Sequence, residues 1–350
     1  MSLTNPRQLI IGLSVAALAI FFTFRNVPAD ELLESLRKGD YVYLFPVALI
    51  VLISYTVRVY RWHVLVAHIK PVPVGQLFPP MMIGFLGNML PMRAGEIFRA
   101  YLLKKKTNIP FTGSLATIMI ERMFDILILN ILFTWILVFH SDLFNSSTTW
   151  AGLVPSNIAF SFGCLSGGIL CLLLTIIYLM VYKTNLLLRA VEKIATPFPV
   201  SWWEKCKHLL EMFAQGLAVI KNGKALLKVS LYSLLDWILI IFSAYPLYLA
   251  FDLNNKTIES MLVLAVMVPI FMTLLPTPGF VGSVQAGIFV ALHKIMGEDA
   301  AVVAAYGMVS WAWGLTIQIL AGLYFLFREH ISWRILLKLE KGSEVDLRKL

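Results

Sequence analysis

Charge is what this chain has least of. Asp, Glu, Lys and Arg make up 14% of its 350 residues, against 59% hydrophobic ones, and mean hydropathy is +0.80. Soluble domains carry about a quarter charged residues, so a soluble globular class is excluded. Cysteine is scarce too. Cys164, Cys171 and Cys206 show neither metal-ligand spacing nor a disulfide framework, and the first two read as packing residues in an apolar helix. A Walker glycine loop, an HExxH pair and a nucleophile elbow are all missing, so no enzyme signature, cofactor or metal is expected. Glu121 and Asp125, one turn apart, could clasp a divalent ion with a pyrophosphate, but beside Arg122 they make a poor metal pair. No cleavage signal follows the first apolar run, because Ala17 and Ala19 lie inside it. An uncleaved first span is expected.

What is present is apolar sequence in long, unalternated runs, several near 18 residues. Runs of that kind specify membrane-spanning helices and not a barrel. The fold class expected is all-α, a polytopic membrane protein of one transmembrane domain over 1–350. Six spans are expected: Leu9 to Phe24, Tyr43 to Val57, Ser114 to Phe139, Ile158 to Tyr182, Lys228 to Ala250 and Ala304 to Phe327. Two short broken hairpins bring the total to about eight hydrophobic elements. Leu77 to Leu90 is bounded by Pro79, Pro80 and Pro91. At 1.5 Å per residue its fourteen or so residues reach about 20 Å, short of a hydrocarbon core of roughly 30 Å. Met261 to Ile295 is interrupted by PTPGF (Pro276 to Phe280).

Lysine and arginine set the orientation. They crowd residues 93–112, 183–228 and the tail 328–350, while the loop after Phe139 has none, so these three stretches and both termini are expected in the cytoplasm, beneath the plasma membrane. The net charge of +9 therefore points to anionic headgroups, with no nucleic acid implied. Leu77 to Leu90 then starts and ends on the cytoplasmic side, as a re-entrant hairpin. Met261 to Ile295 leaves from and returns to the outer side, as two short spans or a second hairpin. The two breaks look alike, LPMRAGE against LPTPGFVGSVQ, and paired interruptions of this kind point to an inverted repeat with a site near the midplane. In 183–228, Trp202, Trp203, Leu209 and Phe213 alternate with lysines, as in helices lying at the interface or packed on the spans.

Charges at membrane depth are expensive, so they mark candidate function. On a helix starting near Pro110, Ser114, Thr117, Glu121 and Asp125 form one polar stripe, with Arg122 at its edge. Either an interhelical ion-pair lock through Arg93, Arg99 or Arg122, or a substrate site, would hold them there. Arg58 and Arg61, in RVYRWH, read as snorkelling at the end of the second span or as joining Arg93 and Arg99 in a phosphate site, since guanidinium forks match phosphate. Asp236 is a further buried acid without an evident partner. Gly279 and Gly282 permit close backbone approach between Pro276 and Pro278 on one side and Gln285 on the other. Gly84 and Gly87 suit tight helix contact.

The succession N-x-L-P-x-R-A-G-E-x-x-R (Asn88 to Arg99), E-R-x-x-D (Glu121 to Asp125) and P-x-P-G-x-x-G (Pro276 to Gly282) resembles the lysylphosphatidylglycerol synthase transmembrane-region family, over most of the chain. That family includes the flippase half of the multiple peptide resistance factor and many stand-alone flippase-like proteins. The resemblance carries over Asn88, Pro91, Arg93, Gly95, Glu96 and Arg99, then Glu121, Arg122 and Asp125, then Pro276, Pro278, Gly279 and Gly282. Where the family often has Gly-Gly and a glutamate, this chain has Gly279-Phe280 and Gln285. The soluble aminoacyltransferase half has no counterpart, so lysyl-lipid synthesis is not expected. The resemblance implies movement of a membrane lipid or lipid-linked anionic glycan, with a lipid or glycan biosynthetic enzyme as a candidate partner. Alternatives are a membrane-embedded lipid-phosphate transferase, with Glu96 or Asp125 as general base, and an accessory subunit of such an enzyme.

Overall fold

The computed structural model describes residues 6–25, 27–89, 95–140, 143, 155–195, 204, 207, 210, 221–275 and 277–331. Among these, the regular structure is entirely helical. The elements used below are α1 (Pro6–Phe24), α2 (Ala29–Lys38), α3 (Leu44–Val66), α4 (Phe78–Gly87), α5 (Gly95–Thr107), α6 (Phe111–Phe139) and α7 (Pro155–Tyr182). They continue with α8 (Thr184–Ala195), α9 (Gly223–Phe242), α10 (Ala244–Ala250), α11 (Ile258–Leu274), α12 (Ser283–Ile288, running on as a π-helix Phe289–Ile295) and α13 (Ala300–Arg328). Pro91, Arg93 and Pro276, and most of 196–220, lie outside the described residues.

Among the described residues, four stretches are long and apolar enough to cross a bilayer: Tyr41–Val66, Phe111–Phe139, Gly223–Ala250 and Ala300–Arg328. A fifth arises if α1 and α2, bent by 87° at their junction, count as one broken span. α7 is itself 28 residues long, and the apolar stretch found within it is Gly167–Tyr182. The structure thus gives an integral membrane protein with four full-length spans among the described residues, against six expected from the sequence. Cys164 and Cys171, read as packing residues, are instead exposed on α7.

Span two departs from expectation in a way that matters for the site. The sequence ends it at Val57, with Arg58 and Arg61 snorkelling out. In the structure α3 runs nine residues further, to Val66, and Arg61 is only 1% exposed. A guanidinium stays at that depth because carboxylates from other helices neutralise it there.

Two pairs of short helices pack as hairpins, and glycine makes both contacts possible. An added Cβ on Gly95 would lie 1.9 Å from the Gly84 carbonyl oxygen and 2.4 Å from Asn88 Oδ1, so α4 and α5 touch backbone to backbone. In the second pair, a Cβ on Gly287 of α12 would meet Val268 Cα of α11 at 2.9 Å. Both hairpins rest on α13, at opposite ends. Gly322 lies against Leu86 and Met82 of α4, and Gly307 against Gln285 and Ile288 of α12. Between them, α3 packs along α9. Of the four apolar cores among the described residues, the largest gathers around Tyr248, Tyr306 and Phe251 and the next around Trp62, Met81 and Ile118.

Gly95→Ala should therefore lower stability by about 1–3 kcal/mol, the usual cost of overpacking. Gly75→Ala, where an added Cβ meets nothing within 4 Å, should be neutral. Thermal unfolding of the detergent-solubilised protein checks both.

Candidate functional site

The charges buried among the spans form one chain of ion pairs across α3, α5 and α6, with a separate pair between α3 and α9 beside it. Arg99 on α5 pairs with Glu121 on α6 (Nη1 to Oε2, 2.6 Å), and its guanidinium stacks on the Trp62 ring at 3.7 Å. Arg61 on α3 donates to Asp125 Oδ1 at 2.7 Å and to Ser233 Oγ at 3.2 Å, and its Nε lies 3.6 Å from Glu121. Arg122 reaches Asp125 at 3.3 Å and Glu96 at 3.4 Å. Asp236 on α9, without a partner in sequence, accepts from Arg58 Nε at 3.1 Å and Ser54 Oγ at 2.6 Å. Among the described residues, four guanidiniums face four carboxylates. Pairing of this kind is what a low-dielectric interior requires, since an uncompensated buried charge costs several kcal/mol.

The network is graded in exposure. Glu121 is fully buried, and Arg99 and Arg61 nearly so, whereas Arg122 and Glu96 are each 38% exposed. The buried members bind α3, α5 and α6 together as a lock. The open members look into a cavity of about 880 Å³ that Arg58, Asn88, Glu96, Arg122, Asp125 and Asp236 line at one end. Beyond them its walls are mainly apolar, built from Val47 and Val51 on α3, Leu129 on α6, Leu247 on α10, Leu264 and Val268 on α11, and Phe280, with Ser243, Thr273 and Ser310 interspersed. From Arg58 back to Val47, α3 alone carries this wall for about 16 Å at 1.5 Å per residue. A charged floor continuous with a long apolar shaft is the shape of an amphiphile.

The residues singled out in the sequence separate into three groups. Arg58, Asn88, Glu96, Arg122, Asp125 and Asp236 come together on the cavity floor. Arg61, Arg99 and Glu121 lie beneath it, and Gly95 serves the α4–α5 contact. Pro278, Gly279, Gly282 and Gln285 are not brought to the cavity. They shape a turn seated on α1, where Pro278 meets Gly12 and an added Cβ on Gly282 would lie 2.8 Å from the Ala16 carbonyl. Gly279, Phe280 and Gly282 all have positive φ, and Trp311 donates to the Gly279 carbonyl at 2.9 Å. Gln285 accepts from the Gly282 N–H at 2.8 Å and so caps α12, a task an amide oxygen performs without a charge. Of the PTPGF turn, only Phe280 faces the cavity among the described residues.

Sequence reasoning missed Ser54, Ser233, Trp62 and Trp237. The Trp237 indole N–H is buried on the cavity wall and finds no hydrogen-bond acceptor among the described residues. Asn88 Oδ1 is likewise buried and finds no donor among them.

Residues 9–322 match the sequence profile of the lysylphosphatidylglycerol synthase TM region. The chain belongs to that family. Among curated relatives of this lysylphosphatidylglycerol synthase TM region protein, a UPF0104 membrane protein of Methanothermobacter thermautotrophicus is 25% identical over 318 residues, 86% of this chain and 89% of the relative. The UPF0104 membrane protein MJ1078 of Methanocaldococcus jannaschii is 26% identical over 239 residues, 65% of this chain and 88% of the relative. Glycosyltransferase AglD of Haloferax volcanii shares 28% identity over 127 residues, and the match spans only 20% of AglD's length. No solved structure matches. The family model and both UPF0104 relatives describe membrane proteins.

Removing one member of the lock should be costly. Glu121→Gln leaves Arg61 and Arg99 undercompensated and should destabilise by about 3–5 kcal/mol. Arg122→Gln, at the open end, should cost no more than about 1 kcal/mol. Thermal unfolding in detergent compares the two.

Proposed function

We propose that this protein is a flippase-like transporter that takes a phospholipid or polyprenyl-phosphate-linked glycan into its central cavity and carries it across the cytoplasmic membrane. The observation that carries this reading is the cavity itself, with paired charges at one end and a long apolar wall beyond. Arg58 and Arg122 would meet the headgroup phosphate, because each has its guanidinium on the floor and is only partly screened by its carboxylate partner. Glu96, Asp125 and Asp236 would hold those arginines until a phosphate displaces them, and would receive any positive group on the ligand. Arg61, Arg99 and Glu121 would position the floor. Arg93, outside the described residues, belongs to the same reading by sequence alone.

Topology enters the same proposal. With the basic segments cytoplasmic, α4–α5 is a re-entrant hairpin closed from the inner side, and α11–α12 its counterpart from the outer side. Six spans and an inverted repeat complete that arrangement. Two short hairpins on opposite ends of α13, each pinned by glycine, support it.

A second reading has one observation in its favour. The match to part of a glycosyltransferase fits a membrane-embedded subunit that presents a lipid phosphate to a glycan-building enzyme.

Transport is tested with headgroup-labelled lipids in reconstituted vesicles, by following loss of label accessible to a quencher outside. Wild type should flip phosphate-bearing lipids, and Arg58→Gln and Arg122→Gln should each slow this at least tenfold while remaining folded. Rates equal to those of protein-free vesicles would overturn transport. Label retention with a modified lipid product would favour the transferase alternative.

A further inference from the structure

A second, separate site lies on the outside of the α3–α9 seam. At the end of this pair is a pocket of about 320 Å³ lined by His63 and His68 of α3 and Lys224 and Lys228 of α9, with no carboxylate among its lining residues. Lys224 and Lys228 are one turn apart on the same helix face, where two like charges repel. Nothing among the described residues offsets them by an ion pair. His68 is occupied: its Nδ1 contacts the Val64 carbonyl at 3.1 Å and its Nε2 the Asn222 amide at 3.1 Å. Asn222 in turn caps the first amides of α9 through its Oδ1. The groups left to meet a ligand are therefore His63 and the two ammoniums. No central-cavity residue belongs to this pocket.

The seam below the pocket says what kind of anion fits. One turn from His63 on α3 and one turn from Lys228 on α9, Tyr60 and Tyr232 stack at 6.3 Å, and Tyr60 is 43% exposed on the outer surface. On both spans the basic groups lie nearer the helix end than the aromatic pair: His63 is three residues from the end of α3 and Tyr60 six, and Lys224 and Lys228 are one and five residues from the start of α9 and Tyr232 nine. Basic pockets between transmembrane helices at a membrane surface hold lipid phosphate. We infer that the α3–α9 seam binds an anionic phospholipid from the surrounding leaflet, with its phosphate between Lys224, Lys228 and His63 and its chain along Tyr60 and Tyr232. A lipid there would bridge the two helices that carry Arg58, Arg61 and Asp236. It is a bound lipid on the periphery, distinct from any cargo in the cavity.

The test is native mass spectrometry of the full chain with added dioleoylphosphatidylglycerol or dioleoylphosphatidylcholine. Wild type should retain the anionic lipid in preference, and Lys224→Gln with Lys228→Gln should weaken retention about tenfold, with Lys224→Arg and Lys228→Arg restoring it. One control fixes the location. Lys104→Gln with Lys105→Gln, equally exposed at the end of α5, should leave retention unchanged. Arg122→Gln, which weakens the cavity site in the transport reading, should leave the further loss on Lys224→Gln with Lys228→Gln intact. Equal retention by the Lys224/Lys228 double variant, or an equal loss in the Lys104/Lys105 control, would overturn the site. Inorganic phosphate displacing the lipid at micromolar concentration would assign the pocket to a soluble phosphate and overturn the lipid assignment.

Discussion

Burying a guanidinium in a membrane protein is tolerable only against a carboxylate, and here that constraint governs the centre of the molecule. Arg99, Glu121, Arg61 and Asp125 form a chain of alternating charge across α5, α6 and α3. Each helix is held in register by groups that cannot be left alone in a medium of low dielectric. Trp62 closes one side of the chain by stacking on Arg99 and donating to Thr117 at 2.9 Å. The polar stripe of α6 is thereby consumed from its buried end outward, and only its last members remain open to the cavity.

This gradation resolves the choice between a lock and a binding floor. Both exist, in different residues of one network. Glu121 is sealed and Arg122 is open, although they are neighbours in sequence, because they lie about 100° apart around α6. A ligand phosphate arriving at Arg58 or Arg122 would exchange partners at the rim without breaking the core. Such a floor can be both firm and responsive.

The helical class, the family and the depth of Glu121 and Asp125 were legible because charge inside a long apolar run stands out by contrast. The short helix ending before Pro91 was legible from its proline-bounded length, but its packing on α5 through Gly84 and Gly95 was not. Arg61 was misplaced at an interface for a physical reason. Its partners are 64 and 172 residues away, and without them the end of α3 reads nine residues early. Asp236 could not be paired with Ser54, 182 residues distant, by any local pattern. The break after Leu275 was visible, but nothing in it shows that Pro278 and Gly282 face α1 and that Phe280 alone turns inward. Trp237 sits in an apolar stretch where an unsatisfied indole N–H leaves no trace.

Helix α13 carries one hairpin near Gly307 and the other near Gly322, fifteen residues or about 22 Å apart. The two grips differ: an added Cβ on Gly322 would lie 2.7 Å from Leu86 Cβ, whereas one on Gly307 would meet Ile288 at 3.6 Å, ordinary van der Waals contact. A rotation of about 5° around the midpoint of α13 would displace its two ends by about 1 Å in opposite senses, so the α4–α5 end resists such a motion and the α11–α12 end is the one with room to give.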